Sequence, residues 1–300
     1  MNPSLTSPIQ WPAEALWQAL APSLPGFTVE ILPEIDSTNS ELMRRFRGSA
    51  GMAPRPEPLL LVAEQQTAGR GRLGRSWQSR RGGSLTFSLG LPLQPADWSG
   101  LSLVVGISLA ESLDPDPGAE KGAEPGSPRI GLKWPNDLWL SSPQGYRKLA
   151  GILVETASWE GLRYLVIGVG LNISPVELSE TTAASPLGAM APGCLQELLP
   201  GIDAPQALLR LLPPLVQAVQ AFGQFGFAPF QARFAARDVL AGQPVQLSDG
   251  NRGEAGTAHG VGENGALRVQ TATGMKEITS AEVSVRPLAA PSPPKDAPAC

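Results

Sequence analysis

Between two apolar stretches, residues 59–65 and 85–91, the chain reads Gly69-Arg70-Gly71-Arg72-Leu73-Gly74-Arg75-Ser76-Trp77. The flanking stretches read as strands, and three glycines with three arginines in seven positions must form the loop between them. Glycine lets a backbone approach a ligand closely and take unusual φ/ψ angles. Arginine presents planar donors that match phosphate and carboxylate. A loop built this way is suited to holding an anion, and Trp77 adds a flat face beside it. Read alone, the stretch fits a solvated loop or a nonspecific nucleic-acid patch equally well.

Composition narrows these readings. The formal net charge is −4, so the chain as a whole is no basic nucleic-acid binder. Its arginines are instead concentrated locally, at Arg70, Arg72, Arg75, Arg80 and Arg81. The single histidine, His259, lies far from them, which argues against a zinc site or a histidine-based triad. The two cysteines, Cys194 and Cys300, argue against a disulfide framework and fit the reducing cytoplasm. No apolar run reaches the ~18 residues a membrane span needs. The N-terminus is polar and broken by prolines, unlike a signal peptide. With 300 residues, 42% of them hydrophobic, one large domain and one small domain are expected.

Residues 29–33 read as a short strand. Thr38 reads as a helix N-cap with Glu41 completing a capping box, and Leu42, Met43 and Phe46 form that helix's apolar side. Leu101, Val104, Val105 and Leu109 recur at helical spacing, predicting a helix over 99–113. Residues 130–134, 137–140, 149–157 and 162–173 read as strands of one sheet. Asp203-Ala204-Pro205-Gln206 starts a helix carried on by Leu208, Leu211, Leu212, Leu215, Val219 and Phe222, which Pro213-Pro214 should bend. Short strands at 245–247, 253–259, 267–270, 276–279 and 283–286 predict a small SH3-like barrel. The fold class is therefore α+β, a mixed central sheet with flanking helices followed by an SH3-like β-barrel. The domains are 1–240 and 241–288. Residues 114–128 and the tail 289–300, rich in glycine or proline, read as disordered.

The loop does not stand alone. Upstream lies Asp36-Ser37-Thr38-Asn39. Downstream lie Lys133-Trp134-Pro135-Asn136-Asp137, then Lys148-Leu149-Ala150-Gly151-Ile152-Leu153-Val154-Glu155, then Gly168-Val169-Gly170-Leu171-Asn172. In this order and at these spacings the set resembles the biotin–protein ligases, strongly from about Ile31 to Asn172 and weakly on to Arg286. The resemblance implies the class II synthetase-like catalytic domain of the biotin/lipoate ligases, and a two-step reaction. Biotin carboxylate attacks the α-phosphate of ATP to give biotinyl-5′-AMP and pyrophosphate. A lysine of a biotin carboxyl carrier protein, as in acetyl-CoA carboxylase, then attacks the mixed anhydride. Lipoate–protein ligases share the fold and the adenylation step. The Gly/Arg loop and the Lys-Trp-Pro-Asn-Asp element favour biotin.

The first step brings two anions together, so the site must supply positive charge and hold the groups in line. The resemblance assigns catalysis to Lys148 and Arg72. It assigns biotin binding to Ser37, Thr38, Asn39, Gln66, Gly69, Arg70, Gly71, Arg72, Lys148 and Gly151. ATP and the adenylate fall to Arg72, Arg75, Trp77, Lys133, Asn136, Asp137, Asn172 and Arg286, with Mg2+ carried by the nucleotide. In isolation Ser37-Thr38 fits simple capping, Trp77 fits a core residue, and Pro-Asn-Asp fits an ordinary turn. Lys148 heads an otherwise apolar strand, where burial is costly unless it meets an anion. Gly168-x-Gly170-x-Asn172 lacks the third glycine and following helix of a dinucleotide fingerprint. About thirty residues precede the first motif strand, too few for the DNA-binding winged helix of many relatives. A monofunctional ligase without a DNA or membrane partner is therefore expected, with homodimerisation left open.

Overall fold

The computed structural model describes residues 8–48, 56–115, 128–143, 145–175, 192–248, 253–279 and 284–287. The stretch 116–127 and the tail from 288 lie outside the described residues.

The chain opens with α1 (Ala13–Leu20), then β1 (Thr28–Leu32), α2 (Thr38–Arg47) and β2 (Leu59–Ala63). β1 and β2 pair in parallel, so α2 is their crossover helix. β3 (Ser84–Pro92), α3 (Leu101–Leu113), β4 (Ile130–Lys133), β5 (Asp137–Ser142), β6 (Gly145–Trp159) and β7 (Leu162–Asn172) follow. They complete a seven-stranded sheet in the order β1-β2-β3-β7-β6-β5-β4, antiparallel beyond β2. Helices α4 (Ala204–Phe225) and α5 (Gln231–Ala235) come next. A five-stranded antiparallel sheet closes the chain, from β8 (Pro244–Ser248) through β9 (Gly253–Val261), β10 (Leu267–Thr271) and β11 (Gly274–Ile278) to β12 (Ser284–Pro287). Its order is β11-β10-β9-β8-β12.

Alternation along the central strands sorts the core. Leu60 and Val62 of β2, Leu85, Phe87 and Leu89 of β3, and Leu165, Ile167 and Leu171 of β7 face the main core with α3 and α4. Leu59, Leu61, Tyr164 and Val166 face the other way, onto Leu42, Met43 and Phe46 of α2. There Phe46 and Tyr164 stack at 4.4 Å. α3 is buried nearly all round, between the sheet and α4, so it lacks the one-sided pattern the spacing suggested.

Two helix ends differ from expectation. Ser37, not Thr38, caps α2, accepting from Ser40 N at 3.4 Å, and Glu41 turns outward to pair with Arg44 and Arg45. Asp203 and Gln206 form the predicted capping box of α4. That helix continues through Pro213-Pro214 as one 22-residue element. The two carbonyls that lose their donors belong to Leu209 and Arg210, both on the exposed side of the helix.

The edge of β4 is covered by 237–239: Leu132 N donates to Arg237 O, and Val239 N donates to Leu132 O. Buried Arg237 pairs with Asp114 at 2.9 Å, and the same Asp114 oxygen accepts from Arg129 N and Ile130 N. The small sheet shares the main core through Val245, Leu247, Leu267, Val269 and Val285.

Candidate active site

On the α2 side of the sheet the central strands change character. β3 places Ser84, Thr86, Ser88 and Gly90 on that face, alternating with the core leucines, and β7 continues Tyr164 and Val166 with Gly168 and Gly170. Side chains shrink there, and an open pocket forms above the strand ends. The glycines are seats for neighbours. A Cβ at Gly168 would fall 2.1 Å from Asn39 Oδ1, and one at Gly170 would fall 2.3 Å from the Trp77 ring. A Cβ at Gly151 would lie 3.4 Å from that ring. Sequence reading quoted Gly168 and Gly170 without a role; their spacing on one strand face was the available signal.

One wall is neutral and polar. Thr38 N and Oγ1 donate to Gln66 Oε1 at 2.8 and 3.1 Å. Ser88 Oγ lies between Thr38 Oγ1 at 2.7 Å and Asn39 Oδ1 at 2.5 Å. The Asn39 amide donates to Leu153 O and to Glu155 Oε2. Ser37, Thr38 and Asn39 are all buried, so their rotamers are fixed by this network before any ligand arrives. Ser88 and Glu155 are the members that sequence reasoning gave no role.

The opposite side is cationic. The Gly/Arg loop folds as a small hairpin: Trp77 N donates to Gly69 O, Gly71 N donates to Arg75 O, and Arg70 bridges Ser76. Its tip, Arg72–Gly74, is a 3-10 turn with Leu73 at φ 55°, a strained angle for a leucine that is 56% exposed. Arg70 reaches Ser40 Oγ and Glu155, each at 3.1 Å. Arg72 Nη1 lies 3.5 Å from Asn136 Oδ1, and burial with Arg75 nearby lowers its pKa against the opposing pull of Asp137. Asn136 Nδ2 donates to Ile152 O at 2.8 Å.

Lys133 and Asp137 face each other across the β4–β5 hairpin, yet Asp137 Oδ1 pairs with Lys148 of β6 at 2.8 Å. Lys133 Nζ donates to Trp134 O at 3.4 Å and lies over the Trp139 ring at 5.6 Å. Burial pushes Lys133 down to about 8, with Asp137 resisting and Lys148, Arg75 and Arg72 assisting. Lys148 is 43% exposed, lies in the fourth position of its strand, and stands 5.8 Å over the Trp77 ring. Lys148 therefore does not head its strand and is not buried in it, and Asp137 supplies an anion.

The pocket brings together Ser37, Thr38, Asn39, Gln66, Arg70, Gly71, Arg72, Arg75, Trp77, Lys133, Asn136, Asp137, Lys148 and Gly151 from distant parts of the sequence. Gly69 does not line it. It permits the turn instead, since a Cβ there would fall 2.4 Å from Trp77 O. Asn172 does not line it either: it is buried, and its amide donates to Gly193 O at 3.1 Å. Arg286 lies on β12 next to Val285, which does line the pocket; its side chain is outside the description. Among the described residues no group of three metal-ligating side chains exists, and no helix is long and apolar enough to cross a membrane.

A neutral wall facing five cations, three from the Gly/Arg loop and two from strands β4 and β6, makes a site suited to an uncharged group at one end and to anions at the other. The comparisons agree in kind. Residues 33–172 match the biotin/lipoate A/B protein ligase family, and residues 241–286 match the biotin protein ligase C-terminal domain. The chain belongs to this family. It is 35% identical over 267 residues to the bifunctional ligase/repressor BirA of Escherichia coli K12, covering 88% of this chain and 75% of that one. It is 31% identical over 259 residues to the biotin–[acetyl-CoA-carboxylase] ligase of Paracoccus denitrificans, covering 84% and 98%. Among solved structures, the biotin protein ligase of Aquifex aeolicus in complex with biotin and ATP superposes with TM-score 0.65 at 30% identity, over 86% of this chain and 98% of that one.

Proposed function

We propose that this chain is an ATP-dependent biotin–protein ligase. It activates biotin as biotinyl-5′-AMP and transfers it to one lysine of a biotin carboxyl carrier protein. The single observation that carries this reading is the opposition of the Ser37–Asn39/Gln66 wall to the cluster Arg70, Arg72, Arg75, Lys133 and Lys148. A ureido ring is neutral and needs fixed hydrogen-bonding groups, whereas carboxylate and polyphosphate repel each other until cations separate them.

The roles follow from position. Thr38, Gln66 and Ser37 receive the ureido group, and Asn39 holds that wall to β6. Lys148 and Arg72 reach the carboxylate and the α-phosphate. Arg75, Lys133 and Asn136 take the remaining phosphate oxygens, and Trp77 offers a flat wall beside Lys148 for the adenine or the ligand chain. Arg286, next to pocket-lining Val285 on β12, is assigned to the nucleotide by the family resemblance alone. Asn136 and Asp137 are hard oxygen donors that line the pocket among the cations. They fit a magnesium ion that keeps most of its ligands from phosphate and water, and such an ion would shield phosphate charge. The unpaired buried thiol of Cys194 fits a cytoplasmic setting.

Incubating the purified protein with ATP, biotin and the carrier domain of an acetyl-CoA carboxylase tests the reading. One biotin on one carrier lysine, dependent on ATP, is expected. Labelling with lipoate but not biotin would assign the site to the lipoate branch.

A further inference from the structure

Resting on the ligase reading, we propose that Asn172 is a positioning residue for Lys148: through Gly193 it braces the strand irregularity that turns the lysine into the pocket. The starting point is register. Along β6, Gly151 and Leu153 line the pocket, and Ala150 between core positions is fully buried. Successive side chains of a strand point to opposite faces. Continued toward the start of β6, that alternation would turn residue 149 to the pocket and residue 148 to the core. The fold does the reverse. Leu149 is buried in the main core beside Ala150, and Lys148 lines the pocket.

The cause is a bulge. Asp137 pairs with Gly151 and Leu138 with Ala150, but Trp139 then pairs with Lys148, so Leu149 is one residue extra on β6. A bulge re-aims the side chains that follow it. Here it lays the lysine along Gly151, with Lys148 Nζ 3.3 Å from the place a Cβ on that glycine would take.

A bulge interrupts the ladder, so its backbone keeps one conformation only where another partner holds it. The ladder between β6 and β7 ends at Ala150 and Leu171, at the edge of the bulge. From there a different segment takes over. Gly193 N donates to Lys148 O at 3.0 Å, and Gly193 O accepts from Asn172 Nδ2 at 3.1 Å. Asn172 is the last residue of β7, so its side chain continues, by way of Gly193, the pairing that the two backbones leave off. Two further contacts fasten the segment. Gln196 N donates to Ile173 O at 3.0 Å, and Glu197 pairs with Arg147, the residue before Lys148. Asn172 is buried and does not line the pocket, so its effect on the reaction runs through the backbone of Lys148. The adenylate contact assigned by the family resemblance is a different role, and kinetics separates the two.

Biotin-dependent pyrophosphate exchange is measured for the wild type, Asn172→Ala, Lys148→Ala and the double variant, each first shown to melt as a folded protein. Misplacing a reacting group by about 1 Å costs on the order of a hundredfold. Loss of one brace should lower kcat about tenfold to thirtyfold, with KM for ATP within about threefold of wild type. In the Lys148→Ala background the same substitution should cost less than about threefold, because the group it positions is gone. A merely structural role would make the two losses multiply, and an adenylate contact would raise KM for ATP about tenfold or more. Either result would overturn the proposal. If Asn172→Ala does not fold, Glu197→Gln decides, since it loosens the same segment from its exposed end. A kcat loss of about threefold or more that disappears in the Lys148→Ala background is then expected, and an unchanged kcat would overturn the proposal. If the wild type shows no exchange with biotin, the ligase reading itself is what fails.

Discussion

At the scale of single residues, two glycines shape the pocket as much as any charged group. Gly170 seats the Trp77 ring, and a methyl there would overlap it at 2.3 Å. Gly170→Ala is expected to weaken biotin binding at least tenfold, about 1.4 kcal/mol by calorimetry; unchanged affinity would contradict the seating role. In the proposed roles Lys148 reaches the carboxylate and the α-phosphate. Lys148→Ala removes a charge-assisted contact worth roughly 1.5–3 kcal/mol, so biotin-dependent adenylation should slow about tenfold to a hundredfold while the circular dichroism spectrum stays native. Near-normal adenylation would refute the role. Asp238 tests the fold rather than the chemistry. Among the described residues its buried Oδ2 has no hydrogen-bond partner, and burial raises the carboxyl to about 6. The folded state therefore holds this proton more tightly than the unfolded chain, and stability is lost as pH rises from about 4 to 6. Asp238→Asn should remove that loss, raising stability at pH 7 by up to roughly 3 kcal/mol. Equal melting curves for the two proteins across that range would show that the charge is solvated.

At the scale of elements, the Gly/Arg loop is a hairpin held by few backbone bonds, with an exposed, strained Leu73 at its tip. Such a segment opens easily. Trypsin should cut after Arg72 quickly in the free protein and at least several-fold more slowly with saturating biotin. Equal rates would mean that the ligand does not order the loop. This loop was legible in the sequence because glycine and arginine have no place in a core strand. The strands were legible too, since β2, β3 and β7 alternate or run apolar. Other details were hidden because tertiary contact decided them. The cap of α2 moved to Ser37 because Thr38 is drawn to Gln66, 28 residues away. The all-round burial of α3 depends on α4, almost a hundred residues later. Residues 114–128 read from the sequence only as a disordered connection. Its described ends are clamped by one carboxylate, Asp114, which accepts from Arg129 N, Ile130 N and Arg237.

At the scale of the molecule, the site is made by the sheet and not by any one motif. α2, the loop, the β4–β5 hairpin and β6 meet over the small-residue face of β3 and β7. Motif order along the chain pointed to residues that the fold brings around one pocket; Gly69 and Asn172 stand outside it, in a turn and a buried bond, and Arg286 lies on β12 next to pocket-lining Val285. What motif order could not reveal was the division between the two lysines, because strand register sets Asp137 opposite Lys133 while its oxygen goes to Lys148. The small sheet is joined to this site, since Trp134 Nε1 donates to Gly265 O at 3.1 Å and Val285 lines the pocket. In the proposed function this assembly joins biotin carboxylate to the α-phosphate of ATP. Exchange of labelled pyrophosphate into ATP measures that step without any acceptor protein. Exchange that requires biotin and is not supported by lipoate is the predicted result. Exchange that is absent with biotin, or that proceeds without any carboxylic acid, would contradict the account.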